Sequence, residues 1–197
     1  MSETDVNMAK RQDDALTLLA KSDVVCSAKT VEEAVTRLAR EITEALGNRF
    51  PVVCCVMNGG VVLAGHLLSR LVFPLDFDYI DVSRYSDDNV GGSFSWRVKP
   101  KINLKNRTVL IVDDILDEGH TLALIKKQFL EVGAAAVHTA VLADKELGHS
   151  KPIVPDFVGI TVPNRFVFGF GMDAYGYWRN LPAVYAINNN DKRGEHE

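Results

Sequence analysis

Apolar residues recur at helical spacing in four parts of the chain. The clearest pattern covers residues 30–46, where one face carries Val31, Ala34, Val35, Leu38, Ile42 and Ala45. Thr30 followed by Glu33 predicts a capping box at the start of this helix, and Gly47 predicts its end. Shorter patterns predict helices over residues 13–20, 61–71 and 121–132. Residues 1–12 are polar and are expected to be partly disordered.

Short apolar segments alternate with these helices. They predict strands over residues 51–57, 73–83, 94–98, 109–112, 136–142, 157–162, 166–170 and 183–187. The alternation predicts an α/β fold with a central, mostly parallel sheet flanked by helices. We expect a single domain over residues 1–197, with a core at about 30–150. The helix-poor residues at about 151–187 are expected to form a small hood together with the N-terminal segment.

Composition excludes several classes of protein. The 47% hydrophobic residues are typical of a soluble globular chain, and a net charge of −4 argues against a nucleic-acid partner. No apolar run is long enough to span a membrane, and the N-terminus shows no secretory signal. The three cysteines form no CxxC pair and the histidines have no metal-ligand spacing, so a disulfide framework or zinc site is not expected. These features predict a cytoplasmic protein.

The segment VLIVDDILDEGHT, residues 109–121, combines a buried strand, several acids and the start of a helix. Ligands of α/β sheets bind outside the carboxyl ends of the strands, and a helix N-terminus favours phosphate. Carboxylates just before that helix can bind ribose hydroxyls or Mg²⁺. The ordinary alternative is a capping turn, with Asp117 either a general base or a simple N-cap.

Four further features are candidates for a site. The glycine pair Gly59-Gly60 after the first predicted strand allows close approach to an anion, although it is also a common turn. Lys145 ends another strand and is either a donor to a carbonyl oxygen or a surface residue. Phe166 can stack on a planar ring or belong to the core. Arg179 is either a diphosphate clamp or part of a surface ion pair.

Together these segments resemble the type I phosphoribosyltransferases, and among them the hypoxanthine-guanine phosphoribosyltransferases. The resemblance runs from about residue 52 to 187. Its specific part is VLIVDDILDEGHT followed at the right separation by PDFVGITVPNRFVFGFGMDAYGYWRNLPAVYAI, residues 155–187. The second segment distinguishes enzymes for 6-oxopurines from relatives that use orotate or adenine.

The resemblance implies a transfer of the 5-phosphoribosyl group from 5-phosphoribosyl-1-diphosphate to hypoxanthine or guanine, with Mg²⁺ as cofactor. Asp113 and Asp114 are expected to bind the ribose hydroxyls, and Asp117 to act on the proton at purine N7. Backbone amides are expected to hold the 5′-phosphate in the loop formed by Glu118, Gly119, His120 and Thr121. The partners implied are these small molecules and a second or further copy of the chain, as a homodimer or homotetramer, with no nucleic acid and no membrane.

The resemblance also assigns the other half of the site. Lys145 is expected to donate to the purine 6-oxo oxygen, Phe166 to stack on the base and the Val167 backbone to read its edge. Asp173 would join Asp113 and Asp114 in binding metal. The diphosphate would contact Asn58, Gly59 and Arg179, with Arg165 on the same side. A mobile lid would run from Ser83, through Arg84 and Tyr85, to about Arg97.

Several departures from the family pattern and three alternatives remain. Asn58 stands where many relatives have Lys or Arg, which removes a charged contact to diphosphate, and Arg84 precedes Tyr85 where the lid of relatives usually begins with a Ser-Tyr pair. Glu118 and His120 stand where relatives commonly have Thr and Lys, and an acid there is compatible with phosphate only if its side chain turns outward. A xanthine-preferring phosphoribosyltransferase differs only in contacts at purine C2. A non-catalytic regulator that binds a nucleotide or RNA would be expected to lack Asp117 or the base-reading segment. A Rossmann enzyme would need a GxGxxG motif after the first strand.

Overall fold

The computed structural model describes residues 3–84 and 94–188. Within these residues the chain forms four helices: α1 (Glu3–Ala20), α2 (Ala28–Leu46), α3 (Val61–Leu68) and α4 (His120–Glu131). The same residues form nine strands: β1 (Asp23–Cys26), β2 (Val52–Met57), β3 (Asp76–Arg84), β4 (Phe94–Val98), β5 (Thr108–Leu116), β6 (Ala136–Lys145), β7 (Phe157–Val162), β8 (Val167–Phe168) and β9 (Val184–Ala186).

Six strands make the central sheet, in the order β4-β3-β2-β5-β6-β7. All neighbouring pairs are parallel except β3 and β4, which form an antiparallel edge. The predicted α/β architecture is therefore confirmed. The motif strand β5 lies near the centre of the sheet, between β2 and β6. Because the three strands are parallel, their carboxyl ends lie at the same edge of the sheet.

Helices cover both faces of this sheet. Side chains that alternate along β2 go to opposite faces: Val53 and Cys55 pack with α2 and α3, whereas Val52 and Cys54 pack with α4. Both faces of the strand are thus buried, which explains its continuous apolar sequence. Burial raises the pKa of the Cys55 thiol to about 12, in keeping with the predicted core role of this cysteine.

Three antiparallel strands form a second, separate sheet, in the order β1-β9-β8. We use the name hood for this sheet together with residues 163–183. The sequence pattern predicted no strand at β1, which pairs with β9 and so joins the N-terminal segment to the hood. Strand β7 lies beyond residue 150 but belongs to the central sheet.

Two details at the N-terminal side differ from the sequence predictions. Helix α1 begins at Glu3, so residues 3–12 are helical, whereas the sequence predicted partial disorder there. Helix α2 begins two residues before Thr30, and its N-cap is Ser27, whose side chain accepts a hydrogen bond from the Thr30 backbone N–H. The predicted capping box at Thr30 and Glu33 is therefore wrong, whereas the end at Gly47 is confirmed.

Among the residues that the structure describes, no helix is both long and apolar enough to cross a membrane.

Candidate active site

The two adjacent carboxylates of the motif lie inside β5 and not in a loop after it. The strand continues through Asp113 and Asp114 to Leu116, so the predicted end at residue 112 is wrong. Each carboxylate accepts a hydrogen bond from the following backbone N–H, that of Asp114 at 2.9 Å and that of Ile115 at 2.8 Å. These bonds fix the direction of both side chains at the carboxyl end of the sheet.

Burial of this pair strongly perturbs its charge. Desolvation raises the pKa of Asp113 well above its usual value, and the neighbouring charge of Asp114 adds to this effect. Desolvation also raises the pKa of Asp114, although its hydrogen bonds and Arg179 oppose the shift. Two carboxyls held together in a poorly solvated site favour a proton or an external cation. The arrangement is therefore suited to a positively charged or hydrogen-bond-donating ligand.

Arg179 links this pair to the hood. Its Nη1 lies 3.9 Å from Asp114 Oδ2 and donates to the Gly171 carbonyl at 2.7 Å, while Nη2 pairs with Asp173 Oδ1. The other oxygen of Asp173 accepts a hydrogen bond from the Gly176 backbone N–H at 2.7 Å. The predicted residues Asp114, Asp173 and Arg179 are thus brought together, although Asp114 is far from the other two in sequence.

Asp117 and Lys145 form an ion pair at the ends of neighbouring strands. Lys145 Nζ lies 2.8 Å from Asp117 Oδ2, and the lysine side chain is 12% exposed while that of Asp117 is 49% exposed. The N-cap of α4 is Gly119, which makes no side-chain cap. Asp117 is therefore not a helix cap, and Lys145 is not a solvated surface residue. A cationic donor and an anionic acceptor stand side by side at the rim of a cleft.

This cleft has a volume of about 200 Å³. It is lined by Asp114, Ile115, Asp117, Lys145, Phe166, Val167, Met172 and Asp173. Val167 is buried, whereas Phe166 is half exposed and stacks on Tyr175 with ring centroids 5.7 Å apart. An aromatic face and a polar pair on the same small cleft suit a flat heterocycle.

The glycine loop after β2 lies against the carboxylate pair. A Cβ at Gly59 would lie 2.0 Å from Asp114 Oδ2, so only glycine fits beside that carboxylate. The Met57–Asn58 peptide bond in this loop is cis. On the hood side Gly171, at a φ of +105°, approaches so closely that its Cβ would lie 2.2 Å from the Gly59 carbonyl oxygen. Both close contacts need glycine.

The loop between β5 and α4 has the form expected of an anion site. Gly119 adopts a φ of +81° and leads directly into α4, so the first backbone N–H groups of the helix are not taken by a capping side chain. Glu118 pairs with His149, with 3.1 Å between the carboxylate and Nε2. The Glu118 carboxylate therefore contacts a residue outside the loop. This agrees with the expectation that its side chain turns outward, away from the phosphate site.

Several predicted residues lie elsewhere or outside the described part of the chain. Arg84 ends β3, whereas Tyr85 and the rest of the predicted lid to residue 93 lie outside the described residues. Asn58 is exposed. Arg165, expected on the diphosphate side, donates instead to Asp23 and to the Ile187 carbonyl within the hood.

Sequence reasoning missed three residues of the site and one residue beside it. Ile115 and Met172 line the cleft, Gly171 accepts the bond from Arg179, and Lys151 contacts the end of β5. The pattern Gly169-Phe170-Gly171 was a usable signal for a close backbone approach, because alternate glycines in a strand region leave room for another chain segment. Ile115, Met172 and Lys151 carry no local signal.

Among residues 3–84 and 94–188, no three His, Cys, Asp or Glu side chains are arranged to hold a metal ion by themselves. The predicted trio of Asp113, Asp114 and Asp173 is consequently not a complete metal site. Arg179 contacts both Asp114 and Asp173. Any metal bound here needs oxygen ligands from a second source.

Comparison with known proteins gives a consistent result. The family model described as phosphoribosyl transferase domain matches residues 25–175. The hypoxanthine-guanine-xanthine phosphoribosyltransferase of Tritrichomonas foetus is 34% identical over 78% of this chain and 85% of its own length. The hypoxanthine-guanine phosphoribosyltransferase of Bacillus subtilis is 31% identical over 82% of this chain and 90% of its own. A solved hypoxanthine-guanine phosphoribosyltransferase from Bacillus anthracis superposes with a TM-score of 0.77 at 26% identity, covering 84% and 98%.

Proposed function

The chain belongs to the phosphoribosyl transferase domain family, and on this basis we propose that it is a purine-salvage enzyme. It transfers the 5-phosphoribosyl group from 5-phosphoribosyl-1-diphosphate to hypoxanthine or guanine. The products are IMP or GMP and diphosphate. The relatives named for these bases support the substrate class, and the cleft supplies the physical argument.

The observation that carries the proposal is the pair of Asp117 and Lys145, 2.8 Å apart. A 6-oxopurine has an acceptor, O6, next to a donor, the N–H at N7. Lys145 matches the acceptor and Asp117 matches the donor. Adenine has an amino group in place of O6 and would set two donors against each other, which leaves buried polar groups unpaired and costs affinity.

The same pair explains proton movement. When purine N9 attacks C1 of the ribose, the C1–O bond to diphosphate breaks and the base becomes more acidic. Asp117 accepts the proton from N7 as a general base. Lys145 stabilises the negative charge that develops on O6. Phe166 holds the ring by stacking, since its side chain is half exposed and lines the cleft.

The ribose and its phosphates are assigned to the neighbouring segments. Asp113 and Asp114 accept hydrogen bonds from the ribose hydroxyls, which are donors suited to a buried carboxylate pair. The loop at Gly119 and the N-terminus of α4 bind the 5′-phosphate through backbone N–H groups and the helix dipole. Gly59 and Arg179 face Asp114 and bind the diphosphate side.

The cofactor we propose is Mg²⁺. The carboxyl groups of Asp114 and Asp173 contact the Arg179 guanidinium, and that of Asp113 lies beside Asp114, so the donor set consists of hard oxygens, which Mg²⁺ prefers. Mg²⁺ commonly binds through one or two carboxylates plus substrate phosphates, which agrees with the lack of a complete protein site. When bound, it neutralises charge on the departing diphosphate.

The test is an assay of diphosphate release from 5-phosphoribosyl-1-diphosphate with each purine base in turn. We expect turnover with hypoxanthine and guanine and almost none with adenine. If turnover is fastest with xanthine, the xanthine-preferring alternative replaces the proposal. One relative of this chain has xanthine in its name. Binding of the diphosphate substrate without turnover of any base would favour the non-catalytic regulator.

We also propose that the protein works in the cytoplasm as a homodimer or homotetramer. Its three cysteines are free thiols, in keeping with a reducing compartment. Val72 and Val154 are almost fully exposed in the single chain, and contact with another copy would cover such apolar side chains. Sedimentation of the purified protein measures the subunit number directly.

A further inference from the structure

Lys151 is a buried cation on the segment between β6 and β7. Its side chain is only 10% exposed, and its Nζ donates to the Leu116 carbonyl at 2.8 Å and to Asp144 Oδ1 at 2.6 Å. A lysine is rarely buried unless its charge is paired and hydrogen-bonded, and both conditions are met here. One ammonium group therefore joins the main chain of β5 to a side chain of β6.

The two partners of Lys151 occupy equivalent places in the sheet. Leu116 and Asp144 are the last pair of opposite residues in the parallel pairing of β5 with β6. The next residue on each strand is a member of the polar pair at the cleft, Asp117 and Lys145. Lys151 thus bridges the two strands one residue before the point where the reacting base would bind.

The same segment lies against the loop that follows. The ideal Cβ position of Gly119 is 3.2 Å from Ile153 Cγ2 and 3.6 Å from Lys151 Cβ, so residues 151–153 support the outer side of the turn into α4. Asp117 lies in the sequence between Leu116, whose carbonyl accepts from Lys151, and Gly119, and its side chain is half exposed. The position of its carboxylate therefore depends on how β5 ends and not on dense packing around the side chain.

We propose that Lys151 is a positioning residue that sets the spacing of Asp117 and Lys145 for the purine base. The inference rests on the proposed function, because it assigns Asp117 and Lys145 to the base. Lys151 itself touches neither cleft nor substrate. It acts by holding the last residues of two strands in register, so that acceptor and donor meet N7 and O6 at the same time.

The first experiment compares Lys151→Met, Lys151→Arg and Lys126→Met by steady-state kinetics with guanine. Lys126 is the matched control, because it also pairs with an aspartate, Asp156, at 3.4 Å but lies on α4 away from the cleft. Misplacement of a reacting group by about 1 Å can cost on the order of 10²-fold in rate. We expect Lys151→Met to lower kcat/KM for guanine by about 10- to 100-fold, Lys151→Arg to recover most of it, and Lys126→Met to leave it unchanged.

A second experiment separates positioning from general stability. Asp117→Asn is combined with Lys151→Met in a double-mutant cycle on kcat/KM. If Lys151 acts through Asp117, its loss has little further effect once the carboxylate is gone, whereas independent effects multiply. Fully multiplicative losses would overturn the proposal. If Lys151→Met does not fold, the cycle uses Asp144→Asn, which removes the same ion pair and keeps a hydrogen-bond acceptor, and the same outcomes apply.

The two proposals fail in different ways. A wild-type protein without turnover of any 6-oxopurine contradicts the proposed function. A wild-type protein that turns over guanine, with a Lys151→Met variant equal to it in kcat and KM, contradicts the positioning role alone.

Discussion

A single carboxylate, Asp117, carries the base chemistry that we assign to this site. It is the acceptor half of the pair with Lys145 and does not cap α4, whose N-cap is Gly119. Asp117→Asn keeps the shape and removes the basic oxygen, so we expect kcat to fall about 10²- to 10⁴-fold. Rapid-quench or steady-state kinetics measure this loss. Asp76→Asn is the control, because Asp76 pairs with Arg107 at the start of β3. Equal kcat in the two variants would remove Asp117 from the mechanism.

A second prediction for a single residue concerns Gly59 and rests on the lack of space beside it. A methyl group there would lie 2.0 Å from Asp114 Oδ2 and would have to displace that carboxylate. We expect Gly59→Ala to raise KM for 5-phosphoribosyl-1-diphosphate strongly. Gly65→Ala is the matched control, because nothing lies within 4 Å of its Cβ position and alanine in a helix stabilises by about 0.5–1 kcal/mol. A normal KM in Gly59→Ala would mean that Asp114 does not bind this substrate.

At the scale of elements, the start of β7 is fixed to β6 by one carboxylate. Asp156 Oδ2 accepts hydrogen bonds from the Thr139 backbone N–H at 2.9 Å and from its Oγ1 at 2.8 Å. Burial alone would raise the pKa of Asp156, but the bonds from Thr139 and the charge of Lys126 outweigh it, so the pKa lies below its usual value. The stabilisation is therefore complete above the pKa of the unfolded chain and is lost as pH falls through the folded value.

Asp156→Asn accordingly has a pH-dependent effect. We expect the free energy of unfolding at pH 7 to fall by about 1.5–3 kcal/mol, the range for hydrogen bonds to a charged group. The difference between wild type and variant should shrink at an acidic pH below the usual pKa of an aspartate, as the wild-type carboxylate also gains a proton. Urea unfolding at both pH values measures it. A difference that stays constant with pH would show that the charge of Asp156 is not what stabilises the junction.

The elements that the sequence predicted well are those with a strong pattern of their own. The 30–46 helix was found because apolar residues repeat on one face, and β2 because it is apolar on both faces. Of the six residues of that helix pattern, Ala45 is exposed and the other five are buried. Strand β1 has only four residues and no buried face, so its pairing with β9 gives no local signal. The end of β5 was misplaced because acids usually end strands, whereas here β5 continues to pair with β6 as far as Leu116.

For the whole molecule, the residues of the site could be named from the sequence but their contacts could not. Asp117 and Lys145 are each recognisable at a strand end, yet their 2.8 Å separation follows from the pairing of β5 with β6. The contact of Gly59 with Asp114 follows from the pairing of β2 with β5. Such contacts depend on register between distant segments, which a local pattern does not contain.

Helix α1 shows how a part outside the matched family region can affect the site. It precedes residue 25, where the family match begins, and contacts the loop next to Arg179. Trp178 Nε1 donates to the Ala15 carbonyl at 2.8 Å, and Arg11 Nε donates to Tyr177 Oη at 3.3 Å. Since Arg179 pairs with Asp173 and contacts Asp114, α1 supports the hood at the point where it reaches the carboxylates.

Trp178→Phe tests this support with the whole chain intact. It removes one hydrogen bond, worth about 0.5–1.5 kcal/mol, so the melting temperature should fall by about 2–4 °C. If α1 also orients Arg179, KM for 5-phosphoribosyl-1-diphosphate should rise while KM for the purine stays nearly constant. Tyr177→Phe is the control, because it removes only the longer and exposed contact with Arg11. A lower melting temperature with both KM values unchanged would make α1 a stabilising element alone, without influence on the diphosphate side.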